Sequence, residues 1–236
     1  DVKITEHCAY NFAYCYQDST MSGSHAVRQR LRDLASVFGH LRVFEVALGG
    51  GEPTTYPDFA GVLQDFRREG VVPNFTTKNI AWLRNDGERR AILESVGAFA
   101  YSVEDARDVD RLGVALQYHG VSPERASVQF VLGTDANSVS RMENVIASAG
   151  KYNLRVTLLG YKQVGRGAAQ KKWSYDNWLK VVFALHKRED WTAIGIDTAL
   201  AAESQGELLA DGIDRRLFAV NEGRFSMYVD AVAGEA

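Results

Sequence analysis

The feature that most constrains the fold is an alternation of strand-like and helix-like segments along the whole chain. Short runs such as 41–48 are almost continuously apolar, as in strands that are covered by helices. Between them, stretches such as 24–38 carry apolar residues at helical spacing. At least six βα units without a long linker predict an α/β fold with a parallel sheet and helices outside it. A barrel and a doubly wound sheet both satisfy this pattern.

Composition limits the class of protein. With 236 residues, 46% of them apolar, the chain can bury the core of one barrel-sized domain. The net charge of −3 and a pI near 6.0 give no support for nucleic acid or an anionic membrane as a partner. We find no apolar run long enough to span a membrane and no signal sequence. Two cysteines suit a reducing compartment, so we predict a cytoplasmic location.

The predicted fold also indicates where ligands bind. In parallel α/β architectures, ligands collect at the carboxyl ends of the strands, where the βα loops converge. We expect these ends directly after Thr5, Leu48, Thr77, Val103, Leu132 and Tyr161. The most unusual stretches of the sequence fall at these places, which favours a single site.

Two loops stand out. Cys8 and Cys15, the only cysteines, follow the first predicted strand and are flanked by aromatic residues. The second loop, 48–53, contains three consecutive glycines and then Glu52, and follows the second strand. Glycines let the backbone approach a ligand closely and adopt positive φ. The simpler alternatives are a disulfide between the cysteines, a zinc site that includes His7, and a plain glycine turn.

Together these loops resemble those of radical S-adenosylmethionine (radical SAM) enzymes, and the resemblance covers about the whole chain. The family signature is C-x3-C-x2-C after the first strand; here the spacing is kept but Phe12 takes the middle position. The resemblance implies a partial parallel (βα)6 barrel and a 4Fe-4S cluster that binds S-adenosylmethionine (SAM). It also implies cleavage of SAM to methionine and a 5′-deoxyadenosyl radical, which abstracts a hydrogen from the substrate.

Phe12 limits what the resemblance can carry over. Clusters of this type are held by thiolates, and a phenyl ring has no donor atom. Cys8 and Cys15 remain as the expected metal ligands, so we expect an impaired cluster. The alternatives are a catalytically inactive protein that binds SAM or a partner, and an ordinary α/β enzyme whose cysteine and glycine loops are coincidental.

The resemblance implies further contacts with SAM at the strand ends. The expected residues are Tyr14, Gly50, Gly51, Glu52, Ser102, Glu104, Leu159, Gly160 and Arg166. Tyr14 would pack on the adenine ring, and the glycine loop would bind the methionine amine. Ser102 and Glu104 would lie near the ribose hydroxyls and the carboxylate of SAM. The stretch 158–167 would lie near the adenine, and Arg166 within it near the carboxylate of SAM or of the substrate. A core tyrosine, a solvated acid and a solvated basic loop are the simpler interpretations.

The predicted organisation has a core and a shorter tail. We assign 1–198 to the partial barrel and 199–236 to a C-terminal helix and the start of an extension, and we expect the natural chain to continue beyond it. The sequence predicts a strand over 224–230. Family members with a comparable Tyr-Val-Asp strand often carry such an extension and modify peptides. The resemblance therefore implies a small-molecule or peptide substrate, and a reductant protein such as a flavodoxin or a ferredoxin.

Overall fold

The computed structural model describes residues 1–188, 192–221, 223 and 226–235. They form one eight-stranded sheet in which every pairing between strands is parallel. The strands are β1 (Val2–Thr5), β2 (Glu45–Gly50), β3 (Val72–Thr77), β4 (Phe99–Val103), β5 (Ala126–Val131), β6 (Arg155–Leu159), β7 (Ile194–Ile196) and β8 (Val229–Asp230). The predicted parallel α/β fold is confirmed.

The strand order distinguishes the two candidate architectures. It runs β7-β6-β5-β4-β3-β2-β1-β8, so consecutive strands are neighbours and the order does not reverse within the series β1 to β7. A doubly wound sheet needs such a reversal, so that alternative is wrong. Strand β8 lies beside β1, and β7 and β8 are the two edges of the sheet. The sheet is therefore an open, partial barrel, as the resemblance implies.

Helices connect the strands and cover one face of the sheet. They are α1 (Arg28–His40), α2 (Phe59–Arg68), α3 (Asp86–Ser95), α4 (Ala106–His119), α5 (Ser138–Lys151), α6 (Trp178–His186), α7 (Thr198–Glu203) and α8 (Gln205–Ala210). No helix in the described part of the chain is long and apolar enough to span a membrane.

Helix α1 begins four residues later than the sequence predicts. Its predicted start at Ser24 is wrong because residues 24–26 pair with the first strand and its exit. The carbonyl of Ser24 accepts from the amide of Glu6 at 2.8 Å, and the amide of Ala26 donates to the carbonyl of Ile4 at 2.9 Å. Extended backbone that is paired in this way cannot also form the first turn of a helix.

The two faces of the sheet have opposite chemistry. Alternate residues such as Phe75, Phe99, Val128 and Leu158 are buried in the hydrophobic core beneath the helices. The residues between them on the same strands point to the other face. There, half-buried polar side chains such as that of Gln129 line the inside of the partial barrel, which we call the lumen.

The C-terminal segment returns to the sheet. Strand β8 pairs with β1 through Val2 and Lys3. The ammonium of Lys3 donates to the carboxylates of Glu6 at 2.6 Å and Asp230 at 2.9 Å. Two residues of the strand that we predict over 224–230, Arg224 and Phe225, lie outside the described residues. The division of the chain at 198 stays a prediction.

Candidate functional site

The cysteine loop and the glycine loop are joined by their backbones at the carboxyl edge of the sheet. The amide of Gly51 donates to the carbonyl of Thr5 at 2.7 Å, and that of Glu52 donates to the carbonyl of His7 at 2.8 Å. A Cβ at Gly50 or Gly51 would lie 2.2 Å from the carbonyl oxygen of Thr5 or His7, respectively. Only glycine permits this approach, so the two loops lie side by side, as the sequence predicts.

Glu52 connects the glycine loop to the end of β3. Its side chain is buried, and one carboxylate oxygen accepts from Thr54 (amide 3.2 Å, hydroxyl 2.7 Å) and from the hydroxyl of Thr77 at 2.5 Å. The other oxygen accepts from the amide of Lys78 at 2.8 Å. Burial raises the pKa of the Glu52 carboxyl, and these hydrogen bonds act against the rise. Both oxygens thus hold the site together, and a contact of Glu52 with SAM stays a prediction.

The cysteine loop has too few donors for the cluster that the resemblance implies. Both thiols are free, so the structure contains no Cys8–Cys15 disulfide; Cys8 is buried and Cys15 is partly exposed. Among the residues that the structure describes, no three histidine, cysteine or acidic side chains are placed to hold a metal ion. Three thiolates would be needed for a 4Fe-4S cluster with one open iron. The donor set does not fit it.

Phe12 fills its position with an aromatic stack. Its ring lies 6.1 Å from that of Tyr10 and 5.2 Å from that of Tyr14, with interplanar angles of 12° and 19°. The ammonium of Lys78 lies 5.8 Å from the centre of the Phe12 ring and 5.5 Å from that of Tyr101. Stacked rings and a cation over a ring face stabilise this arrangement. The motif position is therefore part of a packed cluster.

A charged network supports this stack from the ends of β3 and β4. The Lys78 ammonium donates to the carboxylate of Asp108 at 2.5 Å and lies 3.8 Å from that of Glu104. The amide of Glu104 donates to Asp108 at 2.9 Å, and Arg111 pairs with Asp108 at 3.1 Å. Asp108 is nearly buried, so these partners compensate for the loss of its hydration.

Tyr14 borders a small cleft between the ends of β4 and β5. Burial, and then the carboxylate of Glu104, raise the pKa of the Tyr14 hydroxyl. The cleft has a volume of about 110 Å³ and is lined by Tyr14, Val103, Glu104, Phe130, Val131, Thr134, Asp135 and Arg141. Tyr10, on the other side of the stack, has its pKa raised to about 12 by burial and by the Glu52 carboxylate.

Arg166 holds the cysteine loop from the far side of the barrel. Its guanidinium donates to the carbonyls of Phe12 at 3.1 Å and Ser19 at 2.9 Å, and pairs with Asp18 at 3.0 Å. Its amide donates to the carbonyl of Cys15 at 3.1 Å. Arginine is suited to this task because its donors form a rigid fork. A contact with a carboxylate of SAM or substrate stays a prediction.

The remaining predicted residues lie near the rim in different settings. Ser102 is half-buried on the lumen face of β4, and Leu159 is half-buried on the same face at the end of β6. Gly160 donates its amide to Asp197 at 2.9 Å, and a Cβ there would lie 2.7 Å from the amide nitrogen of Leu200. Gly160 is thus required for packing against α7. The cofactor contacts of these three residues stay predictions.

Sequence reasoning missed Asp108 and the specific position of Lys78. The polar stretch 74–79 marks the end of β3 but does not indicate which side chain turns inward. Asp108 lies in the first turn of α4, where an acid usually serves only the helix dipole. Its burial depends on a contact between residues 30 positions apart, which no local pattern reports.

Comparison with known proteins found one similar sequence and several similar structures. No family model matches the chain. A GTP 3′,8-cyclase from Edwardsiella ictaluri is 27% identical over 142 residues, which are 57% of this chain and 40% of the cyclase. Crystal structures of Streptococcus suis SuiB, one bound to S-adenosylmethionine and one to the precursor peptide SuiA, align with TM-scores of 0.66 and 0.69.

The likeness to SuiB establishes the fold. At 15% and 14% identity, each alignment covers 84% of this chain, and 51% and 49% of SuiB. The chain thus spans about half the length of SuiB and less than half of the cyclase. Together with the two loops at one edge of a parallel sheet, these similarities support the resemblance to the radical SAM family.

Proposed function

We propose that this chain is a radical SAM protein whose rim binds SAM and whose cluster site is one thiolate short. The observation that carries the proposal is the backbone pairing of the cysteine loop with the glycine loop, through Gly51–Thr5 and Glu52–His7. It puts the two motifs that the resemblance assigns to cluster and SAM at one edge. Cys8 and Cys15 would be the protein ligands for iron.

The residues of this chain would bind and orient the cofactor. Gly49 has open space beside it, which leaves room for a zwitterion at the glycine loop, and Tyr14 offers an aromatic face to a purine. Formation of a 5′-deoxyadenosyl radical, which the resemblance implies, is proposed only for a form with a third thiolate. The substrate is proposed to be a peptide or a small molecule, as the names of SuiB's bound peptide and of the cyclase indicate for those proteins.

The experiment is anaerobic reconstitution with iron and sulfide, using the unmodified chain, Phe12→Cys and Phe12→Ser. Serine removes the ring as cysteine does but adds no thiolate, so it controls for relief of packing. We expect a 4Fe-4S absorption spectrum and SAM cleavage only in Phe12→Cys. If the unmodified chain cleaves SAM as fast as Phe12→Cys, the missing thiolate is not a defect. If no variant takes up iron or binds SAM by calorimetry, the proposal fails.

One observation favours a second candidate, a SAM-binding protein without redox chemistry. Phe12 is packed between Tyr10 and Tyr14 and lies under the Lys78 ammonium, so the motif position has become part of an aromatic cluster. This candidate predicts equal SAM affinity in the unmodified chain and Phe12→Cys, and cleavage in neither. The same reconstitution separates the two candidates.

A further inference from the structure

A row of polar side chains crosses the lumen below the rim. The strand registers pair Ser102 with Gln129, Gln129 with Thr157, and Thr157 with Gly195, so one row runs without a break over β4 to β7. Paired residues of neighbouring parallel strands point to the same face of a sheet. We call Ser102, Gln129, Thr157 and Gly195 the lumen row.

The side chains of the lumen row are available to a ligand. The side chains of Ser102, Gln129 and Thr157 are half-buried. Their neighbours along the strands are buried in the core on the other face: Tyr101, Val103, Val128, Phe130, Val156 and Leu158. Within the part of the chain that the structure describes, none of the three makes a side-chain hydrogen bond, although side chains of this type usually find a partner when they are sheltered.

Two glycines leave open space on this face. Gly195 ends the lumen row, and the nearest atom to a Cβ built there is the hydroxyl oxygen of Thr157 at 4.0 Å. Gly49, which pairs with Lys3 on β1, has nothing within 4 Å of such a Cβ. Neither position has the positive φ that would require glycine. Because neither residue has a side chain, the lumen is wider at β7, where the row ends, and at β2, beyond the other end of the row.

The chemistry of the row indicates the kind of group it binds. Gln129 has an amide that both donates and accepts, and Ser102 and Thr157 have hydroxyls that can do either. Such a set complements the N–H and C=O of a peptide group. A phosphate would be expected to meet arginine or lysine, but Lys3 on this face is paired with Glu6 and Asp230. Arg155 lies on the same face as Thr157 but at the start of β6, the end of the strand away from the candidate site.

The next row toward the rim is apolar. It pairs Val131 with Leu159, both half-buried, between the lumen row and the loops of the candidate site. A bound peptide could thus place its amide on the lumen row and an aliphatic side chain on this collar, next to the proposed SAM site. Sites that hydrogen-bond a substrate group discriminate strongly against ligands that lack it.

We propose that the lumen row is the substrate-binding wall of this protein and that it takes a neutral peptide segment, held by one backbone amide group, in preference to a nucleotide. This rests on the proposed function for its place in catalysis, and it assigns Ser102 and Leu159 to the substrate rather than to SAM. Gln129 is the specificity-determining residue, because the strand registers place it between Ser102 and Thr157, so a group bound to its amide also lies next to both hydroxyls.

The test is an NMR titration of the isotope-labelled chain without iron or SAM. The probes are N-acetyl-alanyl-alanine N-methylamide and, separately, GTP. We expect the peptide to shift the amide signals around Gln129, Thr157 and Gly195, and GTP to leave them in place. The titration needs no cofactor, so a failed cluster reconstitution does not affect its result. If reconstitution succeeds but the peptide shifts no signals, this proposal fails and the proposed function stands.

Matched variants make the result specific. Gly195→Leu fills the lumen beside Thr157, whereas Gly206→Leu adds the same side chain at an exposed site on α8 where nothing lies within 4 Å. Gln129→Ala is expected to weaken peptide binding by about tenfold or more, which corresponds to the loss of a sheltered hydrogen bond. Gly195→Leu is expected to weaken it by at least as much, because its side chain occupies the space beside Thr157. Gly206→Leu should leave it unchanged. Equal binding by Gly195→Leu and the unmodified chain, or GTP shifts along the row, would refute the proposal.

Discussion

Replacing Glu52 tests whether its carboxylate holds the site together. In Glu52→Ala the amides of Thr54 and Lys78 lose their acceptor, and the hydroxyls of Thr54 and Thr77 lose theirs. A buried donor left without a partner costs about 1–3 kcal/mol. Two amides therefore give about 2–6 kcal/mol. The hydration that burial took from the carboxylate offsets part of this, so we expect the free energy of unfolding to fall by about 3 kcal/mol.

Glu52→Gln refines the prediction. Its carbonyl oxygen can still accept from Thr54 and Thr77, but its NH₂ group then faces the amide of Lys78, donor against donor. We expect a loss of about 1–2 kcal/mol, smaller than for alanine. Because burial raises the pKa of Glu52, the native state binds its proton more tightly than the unfolded state does. The unmodified chain should therefore lose stability relative to Glu52→Gln as pH rises from 4.5 through the raised pKa.

The assay is urea unfolding followed by tryptophan fluorescence, at pH 4.5 and pH 7, with hydrogen exchange at the Lys78 amide as a local readout. Glu94→Ala is the control, because Glu94 is exposed on α3 and makes no hydrogen bond or ion pair within the described residues, so its replacement should change stability by less than about 0.5 kcal/mol. If the free energy of unfolding of Glu52→Ala is within about 0.5 kcal/mol of that of the unmodified chain, the hydrogen bonds of Glu52 do not hold the site together. An unchanged exchange rate at the Lys78 amide would lead to the same conclusion.

Three further predictions follow from single contacts. Gly51→Ala should lower the free energy of unfolding in urea by about 1–3 kcal/mol, because the new Cβ would lie 2.2 Å from a carbonyl oxygen. Gly49→Ala is the control and should lose less than about 1 kcal/mol, because nothing lies within 4 Å of its Cβ. Equal losses would contradict the packing argument. Arg166→Ala releases the cysteine loop, so Cys15 should react faster with a thiol reagent than in the unmodified chain, and an unchanged rate would exclude a restraining role. Burial alone would raise the pKa of Asp230, but turn amides and the Lys3 ammonium hold that pKa below 3.8. Asp230→Asn should therefore lower the free energy of unfolding at pH 7, and this difference should shrink as pH falls through the lowered pKa. A difference that does not depend on pH would count against the ion pair.

Much of the framework follows from local sequence. The apolar runs and helical spacing predict a parallel sheet because they depend only on periods of two and 3.6 residues along the chain. The places of the cysteine and glycine loops follow, because loops after parallel strands share one edge. Local patterns fail at boundaries such as Ser24, where pairing with the first strand prevents an earlier start of α1.

The tertiary structure decided what each residue of the site touches. Phe12 reads in the sequence only as a missing thiolate, yet the fold places it in a stack under Lys78. Glu52 and Arg166 read as ligands of a cofactor, yet both carboxylate oxygens of Glu52 and two of the three guanidinium nitrogens of Arg166 bind the protein's own loops. The sequence by itself determined the sheet and the edge at which the motifs meet, because these depend on local periodicity. Contacts between residues far apart in the chain, such as Arg166 with Phe12, exist only once the barrel brings its loops together.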